Sequence, residues 1–352
     1  MRAGALFAQA FDPARLQLTG EATRIAEPVG SFLDGAFFSA SSNGALAFRS
    51  PDDTLRLTWL NRLGNVLGRV GEPGRYSALA LNLDETRAVV VQHAIQANAD
   101  QDLWLVDLPS GRSSRLTADA KLEESPVWSE DGRRIYFTGT GAIGSLFEQS
   151  IDGKRGARLL LESPQHKMPT SISRDGRFLL YSTRSSGPTR GDVWVLPLTG
   201  ERTPYPLIRR AFDHEHAQFS PDERWVAYTS NDSGRPEVLV RPFAPVSTTD
   251  AESAGESVMV SKSGGTAPRW RADGKELFFI TPESAIASVP VSVHPVLSVG
   301  SPTTLFHASG IATDWGVAAD GSRFLVMVPD VNNATTSISL IFNWQGALDQ
   351  QR

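Results

Sequence analysis

Three side chains that could bind a metal ion occupy alternate positions of one short run: His214, His216 and Gln218. Alternate side chains of an extended strand point to the same face, so two imidazoles and one amide would share a face. Neutral nitrogen and oxygen donors of this kind suit Mn²⁺ or another divalent ion. The remaining histidines are scattered, so the run makes a divalent metal possible and predicts no other cofactor. The simpler interpretation is that these residues line a wet channel and form hydrogen bonds with solvent.

This run stands directly before one copy of a phrase that returns along the whole chain. Each copy has a β-prone or aromatic residue, then an Asx-Gly-like turn, then a hydrophobic run. The turns are at Asn43-Gly44, Asp84-Glu85, Asp131-Gly132, Asp175-Gly176, Asp222-Glu223, Asp273-Gly274 and Asp320-Gly321. A period of roughly 40–50 residues built from short strands is the signature of a β-propeller.

An Asx-Gly pair between two hydrophobic runs predicts a hairpin turn, because glycine adopts the positive φ that such a turn commonly requires. Two copies carry Glu85 and Glu223 where glycine is expected. A side chain in that conformation costs about 1–2 kcal/mol, so we expect those two turns to be longer or of another type. A third strand with alternating polarity follows each hairpin, as at residues 102–107, and a fourth strand follows the third. Each repeat therefore predicts four antiparallel strands, which make one blade.

The predicted fold is all-β, a β-propeller of four-stranded antiparallel blades. Seven blades are favoured, and six or eight stay open. The chain begins with a third and a fourth strand, near residues 5–11 and 23–26, without a hairpin before them. We expect these N-terminal strands to complete the last blade. We also predict a single propeller domain over residues 1–352, interrupted by a polar loop insertion at residues 245–265.

The residues just before each phrase enter the innermost strand of a blade, which lines the central channel of a propeller. These positions carry both signs of charge. The candidate ligand-binding residues at the channel mouth are Glu124, Lys167, His214, His216, Gln218, Arg269 and Asp314. A mouth of mixed charge is typical of a site for a protein, a peptide or a small ligand. Any solvated funnel would carry the same residue types, so that interpretation stays open.

Composition removes several classes of function. The formal net charge is −5 and the isoelectric point is about 5.7, so no basic surface for nucleic acid is expected. Without cysteine the chain forms no disulfides, thiolate metal sites or cysteine nucleophiles. No run approaches the ~18 apolar residues of a membrane span, and residues 1–11 are interpreted as a strand rather than a signal peptide. We expect no nucleic-acid partner, no membrane insertion and a monomer; the compartment stays open.

The phrases Phe219-Ser-Pro-Asp222, Trp128-Ser-Glu-Asp131 and Trp270-Arg-Ala-Asp273 resemble the repeats of TolB-type propellers. A second resemblance covers nearly the whole chain. Phe7-Ala-Gln-Ala-Phe-Asp12 and Phe342-Asn-Trp344 look like parts of the propeller that follows the kinase domain in many bacterial, notably acidobacterial, serine/threonine kinases. This resemblance implies an extracytoplasmic sensing or docking module and carries no activity with it.

Two classes of enzyme are excluded because the sequence lacks their motifs. The sequence has neither the lysine, His-Arg-Asp and Asp-Phe-Gly motifs of a kinase nor the Gly-x-Ser-x-Gly elbow of a propeller-linked peptidase. The leading prediction is a non-catalytic TolB-like propeller that binds a protein, a peptide or a small ligand, with no catalytic residue assigned. The alternative is a metal-dependent propeller hydrolase or lyase acting on a sugar acid or lactone. It arises because His214, His216 and Gln218 resemble the metal site of oligogalacturonate lyases, and it requires a further donor that converges on them.

Overall fold

Short β-strands dominate the computed structural model, and its described part contains no helix long and apolar enough to cross a membrane. The described residues are 5–26, 29, 31–32, 35–36, 38–41, 43–49, 54–93, 101–118, 123–139, 144–154, 156–162, 164–184, 191–209, 212–245, 255–293, 297–307, 314–330 and 338–345. Contacts divide them into two compact units. The first unit holds the described residues before Leu55 and from Pro329 onward, and the second unit holds those between. The single domain predicted over residues 1–352 stays a prediction.

The first unit contains small antiparallel sheets. Its strands are β1 (Leu6–Asp12), β2 (Gln17–Ala26), β3 (Ser31–Phe32), β4 (Gly35–Ala36), β5 (Phe38–Ala40), β6 (Ala45–Arg49) and β32 (Ile338–Phe342). β1 pairs with β2, β3 pairs with β4, and β6 lies between β5 and β32. The first predicted hairpin, β5–β6, therefore receives its third strand from the far end of the chain.

The second unit contains the other six predicted hairpins. Its strands are β7 (Leu55–Asn61), β8 (Val66–Gly74), β9 (Tyr76–Leu81), β10 (Arg87–His93), β11 (Gln101–Asp107), β12 (Ser113–Arg115), β13 (Glu123–Trp128), β14 (Arg134–Gly139), β15 (Ser145–Ser150), β16 (Arg158–Leu161), β17 (His166–Ile172), β18 (Phe178–Arg184), β19 (Gly191–Pro197), β20 (Tyr205–Ile208), β21 (His214–Phe219), β22 (Trp225–Ser230), β23 (Glu237–Pro242), β24 (Val258–Met259), β25 (Thr266–Trp270), β26 (Glu276–Ile280), β27 (Ala285–Ser292), β28 (Ser298–Val299), β29 (Thr303–His307), β30 (Gly316–Val317) and β31 (Arg323–Pro329).

Five sheets of this unit are consecutive in sequence: β9–β12, β13–β16, β17–β20, β21–β24 and β25–β29. The sixth joins β30 and β31 to β7 and β8, so strands from both ends of the unit share one sheet. The all-β fold of four-stranded antiparallel sheets is thus confirmed. The expectation that residues 5–11 and 23–26 complete the last blade is wrong, because β1 and β2 pair with each other and β7–β8 take that place.

The predicted polar loop at residues 245–265 is only partly a loop. Residues 246–254 lie outside the described residues. Val258 and Met259 form β24, which pairs with β23 as the fourth strand of its sheet. Beyond it Val260 is fully buried, and the hydroxyl of Ser261 accepts a hydrogen bond from the amide of Val238 at 2.7 Å. The end of the segment therefore belongs to the blade.

The innermost strands of the second unit form a closed ring. β9, β13, β17, β21, β25 and β30 each contact the next, and β30 contacts β9. The core lies between adjacent sheets, where side chains of neighbouring blades pack together. Indole groups add hydrogen bonds across these contacts. Trp128 Nε1 donates to the carbonyl of Ala80 at 3.0 Å, and Trp270 Nε1 donates to that of Gln218 at 3.4 Å. The ring encloses the site described below.

The repeated aspartates shape the hairpin turns, as predicted. Asp131 Oδ1 accepts hydrogen bonds from the hydroxyl of Ser129 at 2.6 Å and the amide of Arg133 at 3.1 Å. The same pair of bonds recurs at Asp175 and Asp222. Hydrogen bonding to its turn holds the pKa of Asp320 below the usual range of an aspartate. These carboxylates are therefore turn-formers.

The two turns with glutamate are the same turn as the others, and the expectation of a different type is wrong. Glu85 and Glu223 have φ of 59° and 60°. The amide of Glu85 donates to the carbonyl of Asn82 at 3.1 Å, as the corresponding glycine amides do. Each carboxylate reaches the preceding blade: Glu85 accepts from the amide of Ala319 at 2.8 Å, and Glu223 from that of Asp175 at 2.6 Å. The strained backbone places a side chain where it joins two blades.

We expect Glu85→Ala to lower the free energy of unfolding by about 1–2 kcal/mol, because it removes the bonds to Ala319 and to Arg323 Nη2. Glu85→Gly removes the same bonds but relieves the positive φ, so its loss should be smaller by about 1 kcal/mol. Urea unfolding measures both. Gly132→Ala, in open space at φ 63°, is the matched control for backbone strain alone. Equal losses for both Glu85 variants would contradict this account.

Candidate functional site

A cavity of about 440 Å³ lies inside the ring of inner strands of the second unit. At its turn end, the hairpin turns contribute Glu130, Arg174 and Pro221 to the lining. Where the inner strands begin, which we call the entry end, the lining carries two arginines, two carboxylates and two other polar side chains. These are Arg184, Glu215, His216, Gln218, Arg269 and Asp314.

A bulge in the inner strands decides which side chains reach the cavity. In β13, β21 and β25, two residues stand opposite one residue of the next strand. The first residue of each bulge has positive φ: Ser125 at 52°, His216 at 54° and Ala267 at 52°. A non-glycine residue in this conformation costs about 1–3 kcal/mol. Side chains before and after the bulge therefore do not follow simple alternation.

The predicted common face of His214, His216 and Gln218 is wrong for this reason. His214 pairs with Ser230, whereas Gln218 pairs with Ala227. Ser230 and Ala227 are three residues apart on a regular strand, so they point to opposite faces, and their partners do too. His216 and Gln218 line the cavity, and His214 does not.

His214 is a core residue of the neighbouring face. Its side chain is 2% exposed, its Nδ1 lies 3.4 Å from the carbonyl oxygen of Gly191, and its ring centroid lies 6.0 Å from that of Tyr228. The three donors that suggested a divalent ion are thus divided between two faces. Among the described residues, no group of three or more histidine and carboxylate side chains could hold a metal ion.

Two other predicted mouth residues also lie outside the cavity lining. Lys167 precedes Met168, which does line the cavity, so the lysine points to the opposite face of β17. It is 3% exposed, its Nζ donates to the carbonyl of Gln165 at 2.9 Å, and burial lowers its pKa. Glu124 lies 3.4 Å from His166 Nε2, which lowers the pKa of the carboxylate. Of the seven predicted residues, His216, Gln218, Arg269 and Asp314 come together.

His216 is held neutral at the entry end. Desolvation, together with the charges of Arg269 and Arg184, lowers its pKa to about 4. In the described part of the chain, its buried Nδ1 has no hydrogen-bond partner. A buried polar atom without a partner costs about 1–3 kcal/mol, so this nitrogen is open to a hydrogen bond with water or a ligand in the cavity.

Arg269 and Asp314 form an electrostatically coupled but open pair. Desolvation lowers the pKa of Arg269, and the nearby Asp314 opposes that shift. Burial raises the pKa of Asp314 to about 6, with Arg269 acting in the other direction. Arg269 donates through Nε to the carbonyl of Trp315 at 3.3 Å and through Nη1 to its neighbour Pro268 at 2.9 Å. Within the described ranges, the charge of Arg269 is the one side-chain interaction recorded for Asp314, so both groups can still bind a ligand.

Sequence analysis missed two charged residues of the site. Glu215 stands between the two histidines, and simple alternation points its side chain away from them. The bulge brings it to the cavity, where burial raises its pKa against the opposing charge of Arg184. Arg184 ends β18, the second strand of its blade. Counting outward from the turn at Asp175-Gly176 places it opposite His166 in the preceding strand, β17, and that count was the signal that could have found it.

Comparison with solved structures supports the fold. A TolB from Agrobacterium tumefaciens superposes with a TM-score of 0.61 at 14% identity, covering 78% of this chain and 98% of that one. Hydrazine synthase of Kuenenia stuttgartiensis gives a TM-score of 0.55 at 14% identity, covering 87% of this chain and 94% of that one. At these identities the likeness shows the fold alone. The predicted TolB-like β-propeller fold is confirmed.

Sequence comparison adds less. No family model matches the chain. The uncharacterized peptidase YuxL of Bacillus subtilis is 25% identical over 186 residues, a match that covers 42% of this chain and 28% of that protein. The chain thus matches little more than a quarter of the length of this curated relative.

Proposed function

We propose that this chain is a non-catalytic binding module, a TolB-like propeller that takes a ligand at the entry end of its central cavity. One observation carries the proposal: the buried Nδ1 of His216 has no partner, although the charges of two arginines act on the same imidazole. Protein groups left in this state favour a site that a ligand completes. A cavity of about 440 Å³ has the size of a small-molecule site.

The metal-dependent alternative is not carried further. It required a set of three neutral donors on one face together with at least one more, and the bulge at His216 places His214 on the other face. The groups that do meet at the entry end are two arginines and two carboxylates of the second unit. Cations beside the imidazole oppose a divalent ion and favour an anionic group there.

The test is a screen of small polar molecules by ligand-observed NMR against the full chain. We expect the hits to disappear with Arg269→Gln and to persist with Arg174→Gln, which removes an exposed arginine at the turn end of the same cavity. Both variants must keep the melting temperature and the circular-dichroism spectrum of the parent chain. If no hit depends on Arg269, the entry end is not the site and the proposal is rejected.

We also propose that the chain is related to the propellers that follow bacterial serine/threonine kinase domains and that it senses a ligand outside the cytoplasm, as those propellers are expected to do. The support is the set of matching phrases, among them Phe7-Ala-Gln-Ala-Phe-Asp12 and Phe342-Asn-Trp344. Reading the gene upstream of this sequence tests the relation. A kinase domain and a membrane helix in frame would support it, and an unrelated upstream gene would reject it.

A further inference from the structure

The entry end of the cavity has a charged side and an apolar side. The charged residues come from consecutive blades around the ring: Arg184 from β18, Glu215 and His216 from β21, Arg269 from β25, and Asp314 just before β30. At matching positions of the repeat, β9 and β13 contribute mostly apolar groups. These are Leu79, Ala80, Pro126 and Val127. A ligand that fits both sides has a charged part and a hydrophobic part.

The charges of this side alternate in sign and sum to zero. Arg184 acts on Glu215, Arg269 acts on Asp314, and both arginines act on His216. A multiply charged anion would be attracted by the two arginines but repelled by the two carboxylates that line the same end of the cavity. A ligand that carries one positive and one negative group can satisfy both signs.

The free hydrogen-bonding positions match such a ligand. Arg269 uses Nε and Nη1 on backbone carbonyls, and in the described residues its Nη2 makes no bond. Together with the unpartnered Nδ1 of His216, it can donate to a carboxylate. Apart from the charges of Arg269 and Arg184, no side-chain hydrogen bond is recorded for Asp314 or Glu215 in the described part of the chain, so both can accept from an ammonium group.

We infer that the cavity binds a free zwitterionic amino acid with a large apolar side chain. Its carboxylate lies against Arg269 and His216, its ammonium group against Asp314, and its side chain against Ala80 and Val127. In an α-amino acid the two charged groups are attached to one carbon, and Arg269 lies close enough to Asp314 to bond the carbonyl of the next residue, Trp315, at 3.3 Å. The inference rests on the proposed function and names the ligand class for the same site.

Isothermal titration calorimetry of the full chain at pH 7.5 tests the ligand class with five probes. L-leucine carries all three features, N-acetyl-L-leucine lacks the ammonium group, L-leucinamide lacks the carboxylate, glycine lacks the side chain, and inorganic phosphate is an anion alone. We expect L-leucine to bind at least tenfold tighter than each of the other four. Equal binding of leucine and N-acetyl-leucine would reject the zwitterion.

Single variants test which side chain binds the ammonium group and which binds the carboxylate of the ligand. Asp314→Asn should weaken leucine at least tenfold and leave N-acetyl-leucine unchanged, whereas Arg269→Gln should abolish both and Arg174→Gln neither. The melting temperature of each variant reports folding, and Glu215→Gln provides a second acidic variant should Asp314→Asn not fold. If leucine does not bind while other molecules bind in an Arg269-dependent way, the amino-acid class is wrong and the proposed function stands. If nothing binds through Arg269, both are wrong.

Discussion

Replacing His216 with asparagine should make the free energy of unfolding fall as the pH rises from about 4 to about 6. Asparagine tolerates the positive φ of this position and removes only the titration. Without His216, nothing offsets the contribution of Asp314, whose pKa burial raises to about 6. Between its unfolded pKa near 3.8 and this value, the folded chain binds a proton that the unfolded chain does not, so stability falls with rising pH. The change is about 3 kcal/mol at 1.36 kcal/mol per pH unit.

The variant Asp314→Asn, which keeps His216, should show the opposite pH dependence of the free energy of unfolding. The pKa of His216 is about 4 in the folded chain and 6.5 when unperturbed. Between these values the unfolded chain binds the extra proton, so stability rises with pH and is highest above pH 6.5. Asp314→Asn leaves this contribution unopposed and should gain about 3 kcal/mol between pH 4 and 6.5. In the parent chain the two slopes nearly cancel over the shared window.

Urea unfolding at half-unit pH steps measures both variants against the parent chain. Glu215, whose pKa burial also raises, contributes equally to all of them and cancels in the differences. The double variant His216→Asn/Asp314→Asn is the control and should recover a slope like that of the parent. Parallel pH profiles for the parent and both single variants would show that neither group is desolvated as the cavity geometry requires.

The sequence predicts the blades well because short-range contacts form the hairpin of each blade. The turn aspartates bond to residues two positions away, as Asp131 does to Ser129 and Arg133, so every copy carries its own signal. The pairing that closes the second unit carries no such signal. Residues 5–11 and β7 share the same alternation, and only packing decides that β7 joins β31.

The site was predicted only in part, because simple alternation does not reveal the bulge in the inner strand. Alternation placed His214 with His216, and the bulge reversed that placement. The equivalent bulges in β13 and β25 have proline as their second residue, Pro126 and Pro268, and proline cannot donate to a strand ladder. Those prolines mark the bulge in two repeats. In β21 the second bulge residue is Ala217, which does not indicate a bulge. Only an alignment of the repeats, which pairs Ala217 with Pro126 and Pro268, could have predicted one there.

Phe324→Ala should lower the free energy of unfolding by about 3–5 kcal/mol. Phe324 is fully buried on β31. Its ring meets those of Phe278 at 5.3 Å, Phe306 at 5.5 Å and Trp315 at 6.0 Å between centroids. Leu60 of β7 belongs to the same cluster. The aromatic ring thus joins the closing sheet to the preceding blade.

The part of the protein that opens first shows whether Phe324 stabilises the closing sheet in particular or the core in general. Strands β7 and β31 come from opposite ends of the unit and share a sheet, so a cavity at Phe324 should let that sheet open before the rest. Native-state hydrogen exchange should show faster exchange in β7 and β31 and unchanged exchange in β18. Phe137→Ala, which empties an equally buried site on β14, should cost a similar free energy without this local effect. Uniform acceleration in both variants would mean that the shared sheet is no weaker than any other blade.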